Sequence, residues 1–230
     1  MRENFMESGV KKLIKMELLM MYKYKRYVIL LLLFLLGPSI MCFMGNGESS
    51  IFIGYWIAQF TMLWIVALST IYIKNNFVNI IESFPITRLN RIKAKYILAI
   101  IISLSFVVIS LIFAIISQIY NVGSIKIDFI MNIVLCSISA SLIILTILMP
   151  IQFLLKSNQV NIVNSLITFF VIFFSGIGSS FFENIINKFR YILQGDINLL
   201  LVLAIITIAS ILIYYLSYVI CKVFVNKIDL

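Results

Sequence analysis

Apolar residues run through this chain in six long blocks, at 27–44, 51–73, 97–120, 130–155, 160–182 and 198–221, separated by short polar joints. A helix needs about 20 mainly apolar residues to cross a bilayer. The blocks have that length or nearly so, and none carries an acidic or basic side chain well inside it. The pattern predicts six membrane-crossing helices. The first block is short and broken by Gly37-Pro38, which predicts a kink or a short re-entrant piece. Pro150 lies near the end of the fourth. Blocks four and five are joined only by Lys156–Gln159, which predicts antiparallel neighbours.

Two other segments place apolar residues at helical spacing instead. Within residues 10–27, Val10, Leu13, Ile14, Glu17, Leu18 and Met21 recur every 3.6 residues, with Lys11, Lys12 and Lys15 on the opposite face. This predicts an amphipathic helix on the membrane surface, its lysines towards anionic headgroups. The plainer alternative is a basic tail that only sets topology. In residues 74–96, Phe77, Ile80, Ile81 and Phe84 form an apolar stripe that ends at Pro85. Pro85 disfavours helix at Phe84 and removes a backbone donor, so the segment breaks there. Thr87 is placed to cap a new helix beginning at Arg88. From there Arg88, Arg91 and Lys95 share one face. The expected shape is helix, break, helix at the membrane surface.

Composition supports a bilayer as the solvent. The chain has 230 residues, 63% hydrophobic and 12% charged, where soluble domains carry about 25% charged. The net charge of +9 acquires meaning only when placed. Under the six-block topology, fifteen of the 18 Lys and Arg residues fall on one side. That side is predicted to be cytoplasmic, with both termini inside. The charge is thus a property of one membrane face and does not point to nucleic acid. Tyr55, Trp56 and Tyr120 fall near the predicted outer boundary, and Tyr27, Tyr72 and Tyr96 near the inner one. The basic N-terminal region runs for 26 residues before the first apolar block and has no small-residue cleavage pattern after it, so it is expected to be retained.

Several chemistries are excluded. There is no histidine, and Cys42, Cys136 and Cys221 are dispersed without CxxC spacing. A metal site or disulfide framework is not expected. No ionisable group lies deep in a block, which argues against proton coupling and against an intramembrane enzyme. No G-x-x-x-x-G-K-[ST] phosphate loop occurs, so the chain has no such route to ATP. Mid-block polar groups such as Gln59, Ser69, Ser110 and Asn164 are read as helix-packing devices. Ser137, Ser139 and Ser141 alternate, so they cannot share one helical face.

The run Glu82-x-x-Pro85-x-Thr87-Arg88, followed by Lys95-Tyr96, resembles the membrane subunits of type-2 ABC exporters, the small six-span bacterial permeases that pair with a separate ATPase. A common form there is Leu-Pro-Val/Ile-Ser-Arg; this chain has Phe84-Pro85-Ile86-Thr87-Arg88. The closing SYVICKVFVNKIDL is also similar to the family's last span and short tail. The layout is alike over essentially the whole chain, the motif over about fifteen residues.

The resemblance implies an all-α polytopic membrane protein, a single domain over 1–230, with six transmembrane helices. It further implies an N-terminal amphipathic interface helix within 1–26, a coupling helix in the cytoplasmic loop 74–96, and an outer helix or hairpin at 183–197. The segment Ser175–Asp196 fits the last of these, with a glycine break followed by an apolar face of Phe181, Phe182, Ile185, Ile186, Phe189 and Ile192. The implied contacts with the ATPase are Glu82, Pro85, Thr87, Arg88, Arg91 and Lys95, with Lys11, Lys12, Lys15 and Glu17 on the interface helix. ATP and magnesium would be bound by the partner ATPase and no cofactor by this chain. A second permease subunit, identical or not, and membrane lipids are the other implied partners. The expected location is the bacterial plasma membrane. The expected function is ATP-driven export of a hydrophobic or amphipathic peptide, toxin or drug. The alternative is a stand-alone membrane immunity or scaffold protein with no ATPase.

Overall fold

Backbone N–H and C=O groups inside a bilayer must be satisfied within the protein, and a helix does this within one segment. The computed structural model describes residues 2–23, 50–74, 87–122, 126–154, 157–173 and 199–228, with positions 184 and 188 besides. These residues form six helices: α1 (Arg2–Lys23), α2 (Ser50–Lys74), α3 (Arg88–Val122), α4 (Ile127–Leu154), α5 (Ser157–Phe173) and α6 (Leu199–Ile228). No strand occurs among the described residues. The protein is an all-α polytopic membrane protein. Stretches Arg88–Ile116, Ile127–Phe153 and Leu199–Val225 are each long and apolar enough to cross a membrane, and α2 holds a shorter apolar stretch, Trp56–Thr70. The first predicted span, 27–44, lies outside the described residues, as do 174–182 of the fifth. The predicted outer element at 183–197 lies outside them too, apart from the helical positions 184 and 188.

The centre of the bundle is α4, against which α2, α3 and α6 all pack. A helix packed by neighbours on several sides has buried positions on more than one face, and Ser137, Ser139 and Ser141 of α4 are all buried. Each hydroxyl donates to the carbonyl three residues back, of Val134, Cys136 and Ile138 respectively. No hydroxyl proton of the three is left without an acceptor in an apolar interior.

Lipid tails are as apolar as leucine, so helices in a bilayer associate by close packing and by hydrogen bonds between them. Gly54 of α2 shows the first device. A Cβ built there would sit 2.7 Å from Cys136 Cβ and 3.0 Å from the Ser137 backbone nitrogen. The second device appears on the other faces of α4. Thr207 of α6 donates to the Leu203 carbonyl at 2.7 Å and also reaches the Leu135 carbonyl of α4 at 3.2 Å. Ser103 of α3 lies 2.8 Å from Ser141 of α4. Because the Ser141 proton goes to Ile138, Ser103 is the donor.

The outward faces are apolar. Ile101, Leu104, Val108, Ile112, Ile116 and Ile119 form an exposed stripe on α3, and Leu201, Ile205, Ile208, Leu212 and Leu216 form another on α6. Water does not tolerate stripes of this length, and lipid does.

Two expectations are revised. Among the described residues α5 packs mainly against α2, although residues 155–156 are all that separate α4 from α5. The helices that pack most on α4 are α2, α3 and α6. The helix beginning at Arg88 is also not a separate surface piece. It continues without interruption for 35 residues, a length of about 50 Å. That exceeds the hydrocarbon thickness of about 30 Å, so the polar first turns of α3 extend beyond the apolar stretch on one rigid rod.

A candidate functional site at the basic end of the bundle

Thr87 sets where α3 begins. The Asn90 N–H donates to the Thr87 carbonyl at 3.0 Å and lies 3.4 Å from Thr87 Oγ1, while the Arg91 N–H donates to the same carbonyl at 3.2 Å. The threonine therefore meets donors that a helix N-terminus leaves without intrahelical partners. Thr87, Arg88 and Lys93 are exposed, and Arg91 and Lys95 are half-buried. The basic face read from the sequence is thus graded, with Arg88 outermost and Lys95 drawn towards the interior. Glu82 and Pro85 lie outside the described residues.

α1 packs on this end of α3. Val10 and Leu13 are buried against Ala94, with Ile14, Met16, Ile97 and Leu68 of α2 around them. The apolar face of the N-terminal helix is therefore covered by the protein's own helices and not by lipid. Lys11, Lys12 and Lys15 are exposed on the far side, as are Leu18 and Leu19. Leu18, which the helical spacing assigns to the apolar face, is exposed. The packed stripe is narrower, and it runs through Val10, Leu13 and Glu17.

Glu17 departs from its lysine neighbours. It is only 4% exposed. It lines a small cavity with Ser69 of α2, Lys95 of α3 and Gln152 of α4, closed by apolar groups including Leu68, Leu98, Ile102 and Met149. Gln152 Nε2 finds no hydrogen-bond acceptor in the protein, and the space is enough for about one water molecule. This is no substrate chamber. A carboxylate is expensive to bury unless compensated, and here it sits in the same wall as an ammonium. The arrangement roots α1 in the bundle at the point where α2, α3 and α4 meet.

Next to Lys95, Tyr96 is buried among aromatic rings. It stacks on Phe153 at 6.4 Å and 11°, and meets Tyr214 at 5.2 Å and Tyr218 at 5.4 Å. The Lys95 ammonium lies 5.9 Å from the same Phe153 ring, within cation–π range. Tyr214 Oη donates to the Tyr96 carbonyl at 2.9 Å. The Tyr96 hydroxyl lies 3.1 Å from Ser217 Oγ, which donates to the Thr146 carbonyl at 2.8 Å. The sequence places Tyr96 at the inner boundary and in the Lys95-Tyr96 motif, and gives no sign of its contacts with Tyr214 and Ser217 at this end. It does place Tyr214, Ser217, Tyr218 and Cys221 at helical spacing in an otherwise aliphatic helix.

Among the described residues no group of His, Cys, Asp or Glu is arranged to hold a metal. Cys136 and Cys221 are buried and not joined in a disulfide.

The class these features define is a helical, multi-pass membrane protein with a basic, structured end built on one long helix. The family model described as ABC-2 family transporter protein matches residues 12–226, and the chain belongs to that family, the permease-type membrane component of ABC transporters. No curated protein matches, and no solved structure matches.

Proposed function

We propose that this chain is the membrane subunit of an ATP-driven exporter, paired with a second permease subunit above separate cytoplasmic ATPase subunits. The observation that carries the reading is the start of α3. A threonine-capped, basic helix end exposes Arg88, is braced by α1, and continues unbroken through the bundle. A push on such an end reaches the spans along the rod itself. On this reading Glu82, Pro85, Thr87, Arg88, Arg91 and Lys95 form the ATPase contact. Lys11, Lys12 and Lys15 face anionic headgroups, and both termini are cytoplasmic at a bacterial plasma membrane. ATP and magnesium belong to the ATPase. The cargo is hydrophobic or amphipathic, a peptide, toxin or drug, because the spans carry Phe and Met in abundance and no charge.

The test is co-purification with an ATPase, followed by charge reversal. Arg88→Glu should leave the complex hydrolysing ATP while transport per ATP falls by about tenfold, the effect of roughly 1.4 kcal/mol. Assembly and transport per ATP that are unchanged by Arg88→Glu combined with Glu82→Lys would refute the reading.

A further inference from the structure

The hydrogen bonds around Tyr96 have a common origin in Pro150. In a regular helix the carbonyl of residue 146 accepts from the N–H of residue 150. Pro150 lies inside α4 and has no N–H to give. The Thr146 carbonyl is therefore left without its intrahelical donor, within an apolar bundle. Such a group is met by a neighbouring helix when a serine or threonine is within reach. Ser217 of α6 fills the gap with its hydroxyl proton at 2.8 Å. With that proton committed, Ser217 Oγ faces Tyr96 as an acceptor, and the Tyr96 hydroxyl is the donor at 3.1 Å. Tyr214 closes the loop by donating back from α6 to the Tyr96 carbonyl. Tyr96, Tyr214 and Ser217 are all buried.

The result ties three helices with a fixed direction of donation: α3 to α6 through Tyr96, α6 to α4 through Ser217, and α6 back to α3 through Tyr214. It lies two turns from the exposed start of α3 at Arg88. We infer that Tyr96 and Ser217 are positioning residues for transport, a clamp that makes the basic end of α3 and the C-terminal end of α6 move as one body. The clamp uses hydroxyl groups, which can be removed while the packing rings stay.

The transport arm of this inference rests on the exporter reading; the clamp itself does not. Two spin labels read the clamp directly, at Lys93→Cys on α3 and Lys222→Cys on α6, both exposed positions. Cys42 is replaced by serine, and Cys136 and Cys221 are buried. In the isolated permease the distance distribution between the labels should be single and narrow. Tyr96→Phe, which keeps the ring, and Ser217→Ala, which changes little volume, should each broaden it. The double variant should be no worse than either single, because both break one chain of bonds.

In the complex with its ATPase, nucleotide should leave the parent distribution unchanged, and each variant should lower transport per ATP by about fivefold, the scale of one buried hydrogen bond. The ratio is measured beside the thermal midpoint of the permease, so that plain destabilisation is seen separately. Unchanged distance distributions in both variants overturn the clamp, and broadened distributions with unimpaired transport per ATP overturn its role in transport. Failure of any ATPase to co-purify counts against the exporter reading alone, since the label distances in the isolated permease still decide the clamp.

Discussion

The contact between α2 and α4 and the basic end of the bundle join helices by opposite means. Between α2 and α4, one turn into α2, contact is made by leaving atoms out: Gly54 has no Cβ, and Cys136 and Ser137 fill that space. At the basic end, contact is made by reach: Tyr96, Tyr214 and Phe153 span the gaps with rings, and hydroxyls join them. Close backbone approach has one geometry and tolerates little change. Long side chains with directed hydrogen bonds hold helices whose axes are further apart, and they can break singly. The difference places a rigid waist beside an end that can be loosened without dismantling the fold.

The largest effect should come from filling the waist. Gly54→Leu sets a branched side chain where even a Cβ meets Cys136 Cβ at 2.7 Å and backbone at 3.0 Å. Backbone cannot swing aside as a side-chain tip can, so the cost should reach about 3 kcal/mol or more. Thermal unfolding in detergent should show Gly54→Leu largely unfolded and Gly54→Ala intermediate. A Gly54→Leu protein as stable as the parent would mean that α2 and α4 can part freely, and the rigid waist would be lost.

How much of this was legible in the sequence follows from distance along the chain. The start of α3 was readable because a cap is local: Thr87 meets the N–H of Asn90, three residues on. The apolar blocks were readable because a bilayer imposes length. The cavity beside Glu17 was not, although its place among Val10 and Leu13 was visible, because Lys95 lies far along the chain and reaches the same cavity only through the fold. The partner of α5 was not readable either. A short connection fixes where a helix starts, and the fold decides what it lies against. Pro150 was noticed as an interruption of a helix. That Ser217 repairs it depends on a contact across 71 positions.

A smaller and local effect should follow from Glu17→Lys. It puts a second ammonium into the wall that already holds Lys95, and like charges in a confined site repel strongly. α1 should lift from α3 while the waist stays intact. Leu13 is 3% exposed, so Leu13→Cys reports the event through its reaction with a maleimide. With Glu17→Lys the reaction should quicken by about tenfold or more, and the thermal midpoint should move less than for Gly54→Leu. Continued protection of Leu13→Cys would show that Val10 and Leu13 dock α1 by apolar contact alone.

The smallest effect should come from Ser103→Ala, although it removes an interhelical hydrogen bond of 2.8 Å. Such bonds in membrane proteins contribute about 0.6 kcal/mol on average. Here the partner loses nothing else, because Ser141 keeps its proton on the Ile138 carbonyl. Ser217→Ala is chemically the same change in a different setting. It leaves unmet the Thr146 carbonyl that Pro150 cannot serve, and it takes Ser217 from the Tyr96 hydroxyl, which keeps Cys221 beside it. A buried donor or acceptor left alone costs about 1–3 kcal/mol, so the two alanine variants should separate clearly in unfolding midpoint. Equal midpoints would mean that the Thr146 carbonyl finds another donor, and with it the contrast between waist and end would narrow to one of geometry.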